Sequence, residues 1–395
     1  MKVVFLAPYP LNNILTEVVG FGNSKSEHPA TWVVNIIKSI KKFYPSIELH
    51  IVTESVRIFK SIVFCKDDIF FHIVRSGSSI PFSKRGFPSF LPLDVCTFFL
   101  LNRHRLIREI RKINPDLIHA HGTEFSYAFT AATSGYPAII SVQGIINELI
   151  KSSWKFRYFI LAKLERLTIK RGSFFIAKTS FAKKVISSFN SSAYVFEIEN
   201  PMNESFFLTK RNKVTEHKSI LFVGNIIKEK GIEELIEAMV ELPSANLIIV
   251  GDGNPQYLTY LKSRIESYGL SGRIKWTGIL TPIEISSIME SSSVLVLPSY
   301  METSPNVVSE AICAGLPVIA TKVGGIPDMI LNEKTGLLID PQNVQQLVKA
   351  IQYILDNSLM SEKMGVAARE ENSKRYSPQR IAQLTVDAYR YVLEN

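Results

Sequence analysis

Glu302, Glu310 and Lys230 are the residues whose types and spacing point most directly to chemistry. Both glutamates lie in Pro298 to Asp328, PSYMETSPNVVSEAICAGLPVIATKVGGIPD. There an apolar strand, VLVLP, ends in a loop, and Thr303 or Ser304 is placed to cap a helix whose first turn takes Pro305 without losing a hydrogen bond. The amides of Asn306 and Val307 then stand at the positive end of the helix dipole, a setting suited to a diphosphate. Glu302 in the loop and Glu310 one turn beyond Asn306 flank that end. Ionised carboxylates accept paired hydrogen bonds from adjacent hydroxyls, so one suits a sugar ring and the other a ribose. Lys230, in VGNIIKEKGIEELIEAM, is placed to neutralise charge building on a departing diphosphate.

Such residues need a scaffold that delivers them to one edge. Short runs rich in Val, Ile and Phe alternate with stretches of helical period, the pattern of a parallel sheet covered on both faces. The first half reads as strands at VVFLA, ELHIVT, FFHIV, DLIHAH, AIISV, FFIAK and YVFEI, with helices at TWVVNIIKSIKKF and in the basic segment from Asn147 to Arg171. A second series follows at SILFVG, NLIIVG, RIKWTG, VLVLP, LPVIAT and TGLLID. The expected fold is α/β, with two doubly wound, Rossmann-like domains facing a central cleft. Residues 1–200 form the first domain, 201–218 a polar linker and 219–376 the second domain. A helix over 377–395 is expected to pack back on the first. Ligands of such sheets bind beyond the carboxyl ends of the strands, where His119, His121 and Gln143 also fall. A histidine there can orient a ligand or be a satisfied structural residue.

The run from Glu302 through seven residues to Glu310, then AICAGLPVIAT and Gly324–Gly325, resembles the donor-site signature of family 4 of the retaining glycosyltransferases, also called glycosyl transferases group 1, which have the GT-B fold. The resemblance implies a nucleotide diphosphate sugar as donor substrate, UDP or GDP not distinguished, and no further cofactor. It implies that Glu302 reaches the donor sugar, Glu310 the ribose, and Lys230 with Ser304, Pro305, Asn306 and Val307 the diphosphate, while base contacts fall near Ile279. Asn225 stands where an arginine is usual, and Gln143 where many relatives carry histidine. His119, His121 and Gln143 would face the acceptor, with His121 joining Lys230 and Glu302 in catalysis. The implied reaction is metal-independent transfer with retention onto a glycan or lipid-linked acceptor, as in cell-surface polysaccharide synthesis. A nucleotide-sugar epimerase of the same architecture and a non-catalytic sugar-binding partner of a synthase complex are the alternatives.

Bulk properties narrow the setting. Residues 1–200 carry 26 basic and 14 acidic side chains, whereas the rest carry 19 and 22, so the net +9 arises wholly in the first half. That field favours an anionic partner, whether membrane surface, nucleic acid or acidic substrate, or serves solubility alone; beside the family resemblance, an anionic membrane surface is the expected partner and nucleic acid is not. Three scattered cysteines suggest neither disulfides nor a zinc site, and no Asp-x-Asp triplet is present to hold a metal on a diphosphate. The N-terminus lacks a signal-peptide core, so the expected location is cytoplasmic, with peripheral contact at the inner face of the membrane. The long polar stretch over 11–31 is expected to shape the acceptor site.

Overall fold

The computed structural model describes residues 1–11, 14, 30–76, 93–152, 156–210 and 218–395. Most of the 11–31 stretch therefore lies outside the described residues, as do 211–217 of the expected linker. The chain divides into two compact units, Met1–Pro201 with Gln379–Asn395, and Met202–Pro378.

The first unit is built on eight strands: β1 (Lys2–Leu6), β2 (Glu48–Ser55), β3 (Ile62–Lys66), β4 (Ile69–Arg75), β5 (Leu117–His121), β6 (Ala138–Ser141), β7 (Phe174–Ala177) and β8 (Tyr194–Glu197). Their order is β3-β4-β2-β1-β5-β6-β7-β8, parallel throughout except that β3 runs antiparallel to β4. The seven expected strands all form. The eighth, β3, was not anticipated: IVFCK is an edge strand joined to β4 by Asp67-Asp68, both at positive φ, as a tight hairpin turn requires. Helix Thr31–Phe43 buries Val33, Ile36, Ile37 and Ile40, the three- and four-residue spacing that lays one face on a sheet. The basic segment gives two helices rather than one, Ile146–Ser152 and Phe156–Arg171, with 153–155 outside the described residues. Helix Pro378–Glu394 belongs to this unit and sends Ile381, Ala382, Val386 and Tyr389 into the core that holds Val3, Phe5 and Ile36. The order of strand addition reverses between β1 and β5, which puts His121, the last residue of β5, at a topological switch point.

The second unit has six parallel strands: β9 (Lys218–Val223), β10 (Ala245–Val250), β11 (Ile274–Gly278), β12 (Val294–Leu297), β13 (Val318–Thr321) and β14 (Leu337–Ile339). The order β11-β10-β9-β12-β13-β14 steps outward from β9 and resumes on its other side. The switch point thus falls between β9 and β12, and the loops leaving those two strands carry Lys230 and Glu302. The expected linker gives way at its start. Helix Glu204–Leu208 buries Phe206 in this unit's core, and the Met202 amide donates to the Tyr376 carbonyl at 3.1 Å. Polar flanks had masked that anchor. Among the described residues no helix is long and apolar enough to cross a membrane.

Candidate functional site

In the second unit, backbone packing joins the two switch-point loops before any side chain does so. Gly231, at φ 68°, follows the short 3-10 turn Lys228–Lys230, and a Cβ there would sit 2.0 Å from the Pro298 carbonyl oxygen. Only glycine permits that approach. The Tyr300 amide donates to the Glu229 carbonyl at 2.9 Å, tying the loop after β12 to the turn that carries Lys230. From the other side Gly324, at φ 52°, lies against the Glu302 backbone, where a Cβ would come within 1.8 Å of the carbonyl oxygen, and the Gly325 amide donates to that oxygen at 3.0 Å. The loop that bears Glu302 is therefore held between two glycine-dependent contacts, Gly231 on Pro298 and Gly324 on Glu302.

Its carboxylate accepts from the buried Ser299 hydroxyl at 2.8 Å and, on the same oxygen, from Lys230 Nζ. Lys230 and Glu302 form a partly buried ion pair, their side chains 23% and 10% exposed. Helix Asn306–Ala314 begins one or two residues later than a cap at Ser304 or Thr303 suggested. Pro305, with extended backbone (φ −70°, ψ 119°), occupies the N-cap and supplies no side-chain cap. Thr303 and Ser304 lie upstream of the cap, so the expectation that one of them caps the helix is corrected. Thr303 is buried, and the Ser304 hydroxyl lies 3.9 Å from the Met329 sulfur. Asn306 and Val307 are instead the first two helical residues, and both still stand at the helix's positive end.

Glu310 sits one turn into that helix, half-buried by side chain and backbone together, and among the described residues no hydrogen bond to its carboxyl is found. Burial pushes its pKa up to about 7. Asn225 is exposed in the loop after β9. Ile279, just past β11, is 63% exposed and two strands away from β9, so it is not brought against the Lys230–Glu302 pair. Among the described residues no group of three or more His, Cys, Asp or Glu is placed to hold a metal ion.

The two histidines of β5, His119 and His121, separate into different roles. Their rings stack at 4.2 Å, on the same side of β5 as expected. His119 is buried, with Nδ1 bonded to the Tyr389 hydroxyl and Nε2 to the Ser141 hydroxyl, both at 2.7 Å. Its expected acceptor-side role is corrected: neither ring nitrogen is open. Gln143 is likewise occupied, for Lys178 Nζ reaches its Oε1 at 2.8 Å and its Nε2 lies 3.3 Å from His121 Nδ1. Because lysine only donates, the amide oxygen must face Lys178, so the Gln143 NH₂ donates to His121 Nδ1 and the imidazole proton belongs on Nε2. Burial, with Lys178 nearby, pulls the His121 pKa down to about 3, which keeps the ring neutral. His121 Nε2 is buried without a partner, an unmet donor rather than a base. Gln143 positions it. Lys178 and Ser299 were missed in the sequence, although each follows the end of a central strand, the rule that singled out His121 and Gln143.

Comparison with known proteins agrees with this geometry. The family described as Glycosyl transferases group 1 matches residues 204–371, and Glycosyltransferase Family 4 matches residues 65–204. Sulfoquinovosyl transferase SQD2 of Arabidopsis thaliana is 30% identical over 296 residues, 68% of this chain and 56% of that protein. The chain spans about half the length of the curated relatives it matches. Among solved structures, the sucrose-phosphate synthase of Thermosynechococcus elongatus superposes with TM-score 0.81 at 18% identity, covering 100% of both chains. HepE of Anabaena in complex with UDP-glucose superposes with TM-score 0.73 at 17% identity, over 99% of this chain and 100% of that one. With two like-built Rossmann units, a switch-point Lys–Glu pair and these matches over residues 65–371, the chain belongs to the GT-B glycosyltransferases of family 4, glycosyl transferases group 1.

Proposed function

We propose that this protein transfers a glycosyl group, with retention and without a metal, from a nucleotide diphosphate sugar held by the second unit to a glycan or lipid-linked acceptor held by the first. The observation that carries the reading is the Lys230–Glu302 pair at the β9/β12 switch point, with the unpartnered Glu310 on the following helix. Lys230 exchanges part of its contact with Glu302 for the diphosphate and stabilises the charge that builds on it as the sugar departs. Glu302, steadied by Ser299, accepts hydrogen bonds from sugar hydroxyls. Glu310 accepts the two ribose hydroxyls. The departing diphosphate takes the acceptor proton on the face that it leaves, and the neutral His121 donates from Nε2 to a sugar or acceptor oxygen. Anabaena HepE, solved with UDP-glucose, supports the donor class, since its fold is shared. The setting proposed is polysaccharide assembly on the cytoplasmic face of a membrane.

The decisive experiment is a calorimetric screen of UDP- and GDP-sugars, followed by an assay of slow hydrolysis for each binder. One or more donors should bind and release free sugar of retained configuration. Failure of every donor to bind would overturn the reading, and epimerised nucleotide sugar would favour the epimerase. The same assay with EDTA should retain most of its transfer rate. Complete loss, restored by magnesium or manganese, would show that a metal rather than Lys230 carries the phosphate charge.

The membrane reading draws on the net +12 of residues 1–200 and on helix Phe156–Arg171, where the exposed Phe156 and Phe159 accompany Arg157 and Lys163. The side chains of Lys151 and Lys155, which belong to the same basic stretch, lie outside the described residues. Sedimentation with phosphatidylglycerol vesicles is expected at low ionic strength and not at high salt, because the Debye length falls from about 30 Å at 0.01 M to about 3 Å at 1 M. Neutralising Lys151, Lys155, Arg157 and Lys163 together should weaken it. An absence of binding at low salt would leave a soluble acceptor.

A further inference from the structure

We propose that a pocket in the first unit, floored by Glu54 and rimmed by Leu100 and Phe125, receives the acceptor as a neutral amphipathic glycoside, sugar hydroxyls toward Glu54 and apolar aglycone across the rim. The proposal rests on the reading of the first unit as the acceptor domain and names the class of acceptor that it takes. The pocket has a volume of about 150 Å³ below an open mouth, room for one end of a small ligand whose remainder lies across the rim.

Its floor is polar and incompletely satisfied. Glu54 lies near the carboxyl end of β2, where its amide donates to the Tyr127 hydroxyl at 3.0 Å and its Oε2 accepts from the Ser126 hydroxyl at 2.8 Å. The other oxygen, Oε1, is buried and has no hydrogen-bond partner. Burial pushes the carboxyl up to about 7. A buried acceptor is costly to leave unmet, and besides Ser126 the side chains that bear on this carboxyl are the Asn102 amide and, by its charge, Arg105. Beside it Asn102 donates to the Ser76 hydroxyl at 2.9 Å, and Thr97 completes a wall of small polar groups.

The rim has the opposite character. Val56, Leu100, Leu101 and Phe125 all line the pocket and all stay exposed, Leu100 at 60% and Phe125 at 38%. Four large apolar side chains around one mouth form a patch rather than the scattered exposure of an ordinary surface. Charge decides between ligand classes. Arg157 is the one cation among the described lining residues, and it shares the pocket with two carboxyls, Glu54 and Asp94. With Arg105 acting on Glu54 as a second cation, the charges balance, and among the described residues no excess positive charge is left for a phosphate or an anionic headgroup. Hydroxyl donors below and a hydrocarbon or aromatic group above match what remains.

The test uses the full chain and alkyl β-glucosides from methyl to hexyl, with hexyl phosphate as the anionic comparison, read by calorimetry or saturation-transfer NMR. Each added methylene should tighten binding by about two- to fourfold, the upper figure corresponding to ~0.8 kcal/mol per buried CH₂. The double variant Leu100→Ser, Phe125→Ser changes exposed side chains only and should flatten that series. Glu54→Gln should weaken every glucoside several-fold while leaving the increment per methylene unchanged. A flat series in the unaltered protein, an unchanged slope in the double variant, or tighter binding of hexyl phosphate than of hexyl glucoside would overturn the proposal. UDP binding, measured on the same samples, separates the two failures. A flat series with UDP bound removes the pocket alone, whereas absence of nucleotide binding counts against the glycosyltransferase reading.

Discussion

Lys230→Ala is expected to lower kcat by about 10²–10³-fold, the usual loss when one preorganised group that stabilises developing charge is removed from a dry site. The fall should persist at saturating donor, because the interaction strengthens as the sugar–phosphate bond breaks rather than when the donor binds. The side chain is 23% exposed and its partner keeps the Ser299 hydroxyl at 2.8 Å, so most of the fold should survive. The backbone around it is fixed independently, by Gly231 against Pro298 and by the Tyr300 amide on Glu229. Lys230→Arg preserves the charge on a wider head and should recover part of the rate. Single-turnover measurements with excess donor are the check. An unaltered rate in Lys230→Ala would remove Lys230 from the chemistry and reduce its contact with Glu302 to a structural ion pair.

How far this site can be read without coordinates depends on the distance over which each feature is decided. Alternation of apolar runs with helical stretches located thirteen strands of fourteen, since a parallel strand buried on both faces is a local signal. The exception, β3, alternates exposed and half-buried residues at an edge, and its clearest mark is the Asp67-Asp68 turn. Glu302 and Glu310 were legible because eight residues of loop and helix fix their relation. The contact between Lys230 and Glu302 was not, for it spans 72 positions and follows from the reversal of strand order between β9 and β12. His119 and His121 look equivalent on their strand. What distinguishes them is Tyr389, 270 positions away on the last helix, which satisfies one ring while Gln143 and Lys178 orient the other. The Thr303–Ser304 cap failed for a local reason: Pro305 takes an extended ψ of 119° and becomes the boundary itself. The Glu54 pocket draws on five separated segments, with no motif in any of them.

Glu310 should show a conflict between stability and binding. Its carboxyl is held up to about 7 by burial, against an ordinary value of 4.5. The folded protein therefore holds this proton more tightly than the unfolded chain does. The stability that follows is fully present below the ordinary value and is lost as pH rises from about 4.5 through about 7. Glu310→Gln has no carboxyl to ionise. It should match the parent in melting temperature near pH 4 and exceed it near pH 8, when donor is absent. Donor reverses the order, because the ribose hydroxyls give the ionised carboxylate the hydrogen bonds that it lacks in the free protein. Parent affinity should accordingly rise as pH passes through about 7. Glu310→Ala should bind donor more weakly by about 1–3 kcal/mol, roughly 5- to 150-fold. Thermal melts of parent and Glu310→Gln at both pH values, with calorimetric titration of donor into parent and Glu310→Ala, test both halves. Equal donor affinity would dismiss the ribose assignment, and identical melting profiles would dismiss the buried, unpartnered carboxyl as the source of the pH dependence.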